Sequence, residues 1–464
     1  MEFIPLTSEN IEALAPYLAK PEISFCDLSL GEKYMWRKEY KIDFAIIDDT
    51  LIMKETGEDY ANSFYYPIGK NVEGALVEIE KHCRENFMPL EFCCIDQTVL
   101  EILKGRYFSV EERFDLDWND YIYTAEQFKS YAGKKLSGQR NHVNKFKKTY
   151  PNYKFKVLGK DDIALAHALL EQYKKGCVHS QELLDEIEMC HDYLDNMHRL
   201  KQLGAMLWVN EKPIAMSIGE VVNDTLIVHV EKALTSYEGV YPTMASLFAK
   251  EFATDGVKFI NREEDCGDLG LRQSKSQYKP IEIKNKYSVK VNTLLDKVDK
   301  KLYLETETLA ITEILETDKQ EYYKLYTDEE LNKWWGYDYT EDLNGVQPTP
   351  DYFIAFQKSL IAKGEEISFA VRDNGKMVGE LVLHNFDYFG GVEMGFRFFK
   401  ECQGKGYAIK SATRLKEYVF SVLKAKTLKS RCFKENLPSA KLIKRLSLEK
   451  TSEDQTHYYF ALTK

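Results

Sequence analysis

Along this chain, runs of consecutive or alternating apolar residues give way repeatedly to stretches in which apolar positions recur every three or four residues. Short strands and amphipathic helices are therefore expected in turn. Residues 44–47 and 50–53 flank Asp48-Asp49 and predict a hairpin, and residues 77–83 have helical spacing. Residues 161–170 predict a helix whose apolar face is Ala164, Leu165, Ala168 and Leu169. Residues 204–209 turn at Asn210-Glu211-Lys212 into a second strand over 213–220, followed by a strand over 225–231 and a helix over 243–252. The last third repeats that order. A strand over 367–372 turns at Asp373-Asn374-Gly375 into 377–384, and 392–398 forms a third strand. A helix over 408–423, a strand over 428–433, a helix over 439–446 and a strand over 458–462 follow. The shared order of strand, turn, strand, strand, helix predicts α/β or α+β layers.

The pattern breaks near residues 290–303. Residues 285–291 read as a closing strand and 294–301 as a charged helix, before a new strand at 309–312 and a helix at 318–325. A chain of 464 residues exceeds one ordinary core, so about two to four domains are expected. An aromatic content of 13% with 44% hydrophobic residues argues against disorder. A net charge of −11 disfavours whole-chain attraction to nucleic acid or anionic lipid and leaves only local basic patches for such partners. The 9 cysteines are irregularly spaced without a C-x-x-C, so neither a disulfide framework nor a zinc site is indicated, and no metal is expected. The N-terminus lacks a basic flank and an apolar core, and no long apolar run occurs, so a cytoplasmic protein without a membrane partner is expected.

The chemistry concentrates first at Gln403-Gly404-Lys405-Gly406-Tyr407-Ala408, between a predicted strand and a predicted helix. Glycines there allow close backbone approach, and the unpaired N–H groups of the first helical turn attract a phosphate; Lys405 can add a point charge. Behind them Ile409, Ala412, Leu415, Val419 and Val422 define a buried helix face. Taken alone, the tripeptide favours an ordinary glycine-containing turn. The spacing Gln403-x-x-Gly406-x-Ala408, the order of elements and Asn436-Leu437-Pro438-Ser439 opening the next helix together resemble the GNAT superfamily of N-acetyltransferases, especially its ribosomal-protein-acetylating branch, over residues 303–464. The resemblance implies acetyl-CoA as donor and a primary amine as acceptor. Gln403, Gly404, Gly406 and Ala408 match the family's pyrophosphate turn, Tyr407 lies within it, and Asn436 matches a residue that contacts the pantetheine arm; an N-cap role explains Asn436 equally well. Glu393 falls where the family often places its general base, against the alternative of a solvated strand glutamate. Ile443 stands where many members carry a tyrosine acid, and Ser447-Leu448 replaces the usual Gly-Phe ending; Ser439 is then the candidate proton donor, although a serine opening a helix is more often structural. The aromatic segment Trp334-Trp335-Gly336-Tyr337-Asp338-Tyr339 is expected to pack on the sheet, or else to wall an acceptor site.

In the first two thirds, residues 131–148 gather Lys134, Lys135, Arg140, Lys145, Lys147 and Lys148, either as a solvated helix face or as a grip on phosphate. Residues 260–275 mix carboxylates, glycines and bases densely. With Gly133-Lys134-Lys135 and His229-Val230-Glu231-Lys232-Ala233 they resemble a bacterial family related to the catalytic domain of phosphatidylglycerol lysyltransferases, over about residues 1–292. That resemblance implies two tandem acetyltransferase-like lobes, 1–125 and 126–292, ahead of the third at 303–464, each built on a mixed sheet. It also implies a tRNA-borne aminoacyl donor, with Arg140, Glu231, Arg262, Glu264, Asp265, Arg272 and Lys275 in a polar cleft; a structural ion-pair network is the other explanation. Three functions stay open at this point: acetyl transfer by the last domain, aminoacyl transfer by the first two lobes, or a non-catalytic N-terminal module that presents a macromolecule.

Overall fold

The computed structural model describes the chain except residues 23–24, 58–61, 178–179, 255, 336–339, 341–342 and 344. The described residues form two compact units, one of residues 1–83, 89–101 and 112–289, the other of 84–88, 102–111 and 290–464.

The first unit holds two mixed sheets. One is built on the hairpin Asp43–Ile47 and Thr50–Glu55, whose turn residues Asp48 and Asp49 both have positive φ, the geometry that lets a two-residue turn follow strand twist. The other runs in the order Glu282–Lys284, Asp120–Thr124, Phe259–Asn261, Thr225–Ala233, Lys212–Val222, Leu203–Val209, Lys154–Val157. Both sheets contribute to one core: Phe44, Leu51 and Met53 from the first pack in the same cluster as Met206, Met216 and Val230 from the second.

The second unit has one sheet, in the order Tyr303–Glu305, Ala310–Glu313, Glu366–Asp373, Lys376–His384, Gly391–Phe398, Thr427–Phe433, His457–Thr463, Glu449–Glu453. The sheet of the second unit and the Leu203–Ala233 region share a plan. Three antiparallel strands lead through a helix into a parallel fourth: Val240–Phe252 precedes Phe259–Asn261, and Tyr407–Ser421 precedes Thr427–Phe433. The helix sits on the sheet through Ala412, Leu415 and Val419, all fully buried.

Several expectations need correcting. Residues 294–301 form only the 3₁₀ turn Leu295–Lys297, because Leu294, Leu295 and Val298 all turn into the core, which a longer solvated helix would not allow. Val422 is exposed, just beyond the end of its helix. The buried face of Ile163–Lys175 is Ala166, Leu169 and Leu170, while Ala164, Leu165 and Ala168 face solvent. Among the described residues no helix is long and apolar enough to cross a membrane.

Candidate active site

The strands Gly391–Phe398 and Thr427–Phe433 pair in parallel over only three residues each, Gly391–Glu393 with Thr427–Lys429, although both run on. Beyond that point they splay apart, and Ser430 Oγ donates to the Met394 carbonyl across the opening at 2.9 Å. The gap widens into a cavity of about 770 Å³, within the range of sites that take a cofactor-sized molecule. Residues 394–398 line one side and Ser430, Arg431 and Cys432 the other.

The glycine turn also lines the cavity. Gly404 and Gly406 have φ of +74° and +80°, a region that costs other residues roughly 1–2 kcal/mol. A Cβ at either position would meet nothing within 4 Å, so the backbone is bare toward open space. Gly406 is the N-cap of Tyr407–Ser421 and offers no side-chain cap, which leaves first-turn N–H groups and the positive end of the helix dipole unanswered. Gly404, Gly406, Tyr407 and Ala408 line the cavity. Gln403 lines it too, but its side-chain amide donates to the Phe398 carbonyl at 3.1 Å and ties the turn to the strand end. The Tyr407 hydroxyl is held by Asp373, and the exposed Lys405 ammonium lies 6.0 Å from the Tyr407 ring centroid.

The corresponding turn in the first unit is closed. Gly239, the N-cap of Val240–Phe252, has the same φ of +80°, but a Cβ there would lie 2.5 Å from the His142 carbonyl oxygen and 3.3 Å from Phe146 Cβ. The helix Ser137–Thr149, with Val143 and Phe146 buried, brings the His142 carbonyl and Phe146 against this turn. The basic run is a turn carrying the exposed Lys134 and Lys135, then the amphipathic helix Ser137–Thr149 with Lys145 and Lys148 in solvent and Lys145 paired with Glu238.

Glu393 and Ser439 both face the C-terminal cavity. Glu393 Oε2 accepts from Asn385 at 2.9 Å, and Oε1 lies 3.3 Å from Arg431 Nε and 3.9 Å from His384 Nε2. Asn436 caps Leu437–Arg445 through the Ser439 N–H at 3.2 Å while also lining the cavity, so the capping explanation accounts for its side chain. Asn436→Ala is expected to lower the stability of this unit by about 1 kcal/mol in urea melts. Of the aromatic segment, Trp334 and Trp335 line the cavity, and residues 336–339 lie outside the described residues.

Sequence reasoning missed His384 and Glu366, which extend Glu393 into a cross-strand row: Glu366 lies opposite His384, and His384 opposite Glu393. All three line the cavity. Burial, then the neighbouring Glu380, push the Glu366 carboxyl up to about 7. Burial holds the His384 imidazole below its usual range, against the pull of Glu393.

In the first unit the predicted polar residues divide. Arg140 stands apart and donates to the carbonyls of Tyr131 and Gly133. The others gather around the 262–265 segment. Arg262 pairs with Glu231 at 3.1 Å and lies over the Tyr278 ring; Asp265 accepts from Tyr121 and Arg272; Lys275 donates to the carbonyls of Arg262, Glu263 and Glu264. Glu264 joins a buried cluster that sequence did not reveal, where the Lys286 ammonium contacts Asp27, Asp120 at 2.7 Å and Glu264 at 3.3 Å, beside the Cys26 thiol. Cys26, Asp27 and Asp120 lie close enough to share a cation, and the Lys286 ammonium is one. Burial first lowers and the carboxylates then raise the neighbouring His229, held between Glu220 and Glu263, to about 10.

Comparison with known proteins matches both regions. A family model described as phosphatidylglycerol lysyltransferase, C-terminal, covers residues 22–290, and an acetyltransferase (GNAT) domain model covers 308–449. A crystal structure of a conserved protein of unknown function from Bacteroides thetaiotaomicron is 28% identical, with a TM-score of 0.59, over 63% of this chain and 100% of that one. An uncharacterised N-acetyltransferase, YnaD of Bacillus subtilis, is 27% identical over 145 residues, 27% of this chain and 84% of the relative.

Proposed function

Because the chain belongs to the family of the phosphatidylglycerol lysyltransferase C-terminal domain and carries a GNAT acetyltransferase domain after it, we propose that this second domain transfers acetyl from acetyl-CoA to a primary amine. The domain is an acyltransferase domain; the donor and the acceptor are the proposal. One observation carries it. The uncapped glycine turn, the splayed strands and the Glu393 and Ser439 side chains all open on one cavity.

In this reading the N–H groups behind Gly404 and Gly406 hold the pyrophosphate, and the free strand edges take the amides of the pantetheine arm as a sheet takes an extra strand. Glu393 attracts the acceptor's ammonium. The amine nitrogen forms a bond to the acyl carbon while the carbon–sulfur bond breaks with its electron pair on sulfur. Ser439, at the first turn of Leu437–Arg445, relays a proton to the leaving thiolate. Ser439→Ala is expected to lower kcat about tenfold with little change in the KM for acetyl-CoA, a split that marks a group used after binding. Calorimetry of the full chain with acetyl-CoA, followed by mass spectrometry of a primary-amine panel, tests the reading; no binding, or binding with no acetylated amine, counts against it.

The plugged turn at Gly239 favours a first unit that takes no coenzyme at that position, and so a companion module to the acyltransferase domain.

A further inference from the structure

We propose that His384 is the base that takes the acceptor's proton, and that Glu393 holds the ammonium and positions it; this rests on the acyl-transfer reading above.

Glu393 is already engaged: its Oε1 lies 3.3 Å from Arg431 Nε and its Oε2 accepts from the Asn385 amide at 2.9 Å, which places it as a counter-ion. His384 stands across the sheet from it, on Lys376–His384, and both side chains reach the cavity. The 3.9 Å between His384 Nε2 and Glu393 Oε1 is too long for a hydrogen bond, and one nitrogen lying to the side of that line can bond to both. Gly395 lets Trp335 and His384 approach the strand closely: a Cβ there would lie 3.2 Å from Trp335 Cη2 and 3.8 Å from His384 Nε2.

The charged groups around His384 come from each neighbouring strand: Glu366 from Glu366–Asp373, Glu393 from Gly391–Phe398, and Arg431, with Lys429 opposite Glu393, from Thr427–Phe433. Burial disfavours the imidazolium, so the imidazole is neutral at pH 7 and available as an acceptor. An ammonium docked against Glu393 gives one proton to His384 Nε2. The resulting amine attacks the acyl carbon, the sulfur leaves with the electron pair, and the second proton lost from nitrogen balances the one gained by the thiolate. The net proton released is the one on His384.

Full-length wild type, His384→Gln, Glu366→Gln and Glu393→Gln are compared in acetyl-CoA calorimetry and in pH–rate profiles with each member of the primary-amine panel that wild type acetylates. His384→Gln is expected to keep acetyl-CoA affinity within about threefold, lose about a hundredfold in kcat and lose the acidic limb of the profile. Glu366→Gln should retain that limb, and Glu393→Gln should raise the acceptor KM more than it lowers kcat. A His384→Gln enzyme with the wild-type limb, or a limb that disappears in Glu366→Gln instead, overturns the assignment to His384. Wild type that binds acetyl-CoA yet acetylates no amine overturns the acyl-transfer reading itself, and the proposal with it. Unchanged coenzyme affinity in His384→Gln shows that the variant is folded.

Discussion

Gly406→Glu is expected to abolish acetyl-CoA binding, lowering affinity by at least about a thousandfold. Two effects add. The φ of +80° costs any side chain roughly 1–2 kcal/mol, which distorts the turn or destabilises it. The carboxylate then projects into the open space that the turn presents, since nothing lies within 4 Å of a Cβ there. A charge about 4 Å from a pyrophosphate oxygen repels it by about 4 kcal/mol at an effective dielectric of 20, roughly a thousandfold in affinity. Gly406→Ala carries the backbone cost without the charge and should keep most of the affinity. Calorimetry on the pair separates the two effects, and a glutamate variant that binds as well as wild type would show that the phosphate does not sit at this turn.

The turn was legible because its causes are local. Glycine at φ-positive positions, an apolar helix behind and a strand in front all lie within a few residues of one another. The same holds for the hairpins at Asp48-Asp49 and Asn374-Gly375, where turn residues carry the geometry. What escaped notice depends on distant pairing. His384 is an unremarkable residue at the end of a strand until the sheet sets Glu366 on one side and Glu393 on the other. The strand Glu449–Glu453 is exposed at every position and carries no apolar alternation, so only its pairing with His457–Thr463 identifies it. Gly239 and Gly406 share one backbone conformation, and sequence could not tell a filled turn from an open one, because the filler is the His142 carbonyl nearly a hundred residues earlier. The polar residues of 260–275 contact one another and their neighbours: Arg272 donates to Asp265, Lys275 to the Arg262 carbonyl, and Arg262 pairs with Glu231.

That network makes the first unit sensitive at one residue. Lys286→Met is expected to destabilise it by about 3–5 kcal/mol at pH 7, because removing one partner strands the others in a buried site. Lys286 is almost wholly buried, and its ammonium is shared by Asp27, Asp120 and Glu264. Burial alone would raise the Asp27 carboxyl, but Lys286, and then Lys33, draw it down to about 2. A folded-state value below the unfolded one contributes stability that is present above about pH 4 and lost as the pH falls toward 2. In the methionine variant the sign reverses. Burial, the largest effect on Asp27 and Glu264, then dominates, these two carboxyls bind protons more readily in the folded state than in the unfolded one, and acidification relieves part of the damage. Urea unfolding followed at pH 7 and pH 5 should therefore show the gap between variant and wild type narrowing at the lower pH. A gap that is small at pH 7, or that widens on acidification, would mean that the Lys286 charge is not what holds these carboxylates in the core.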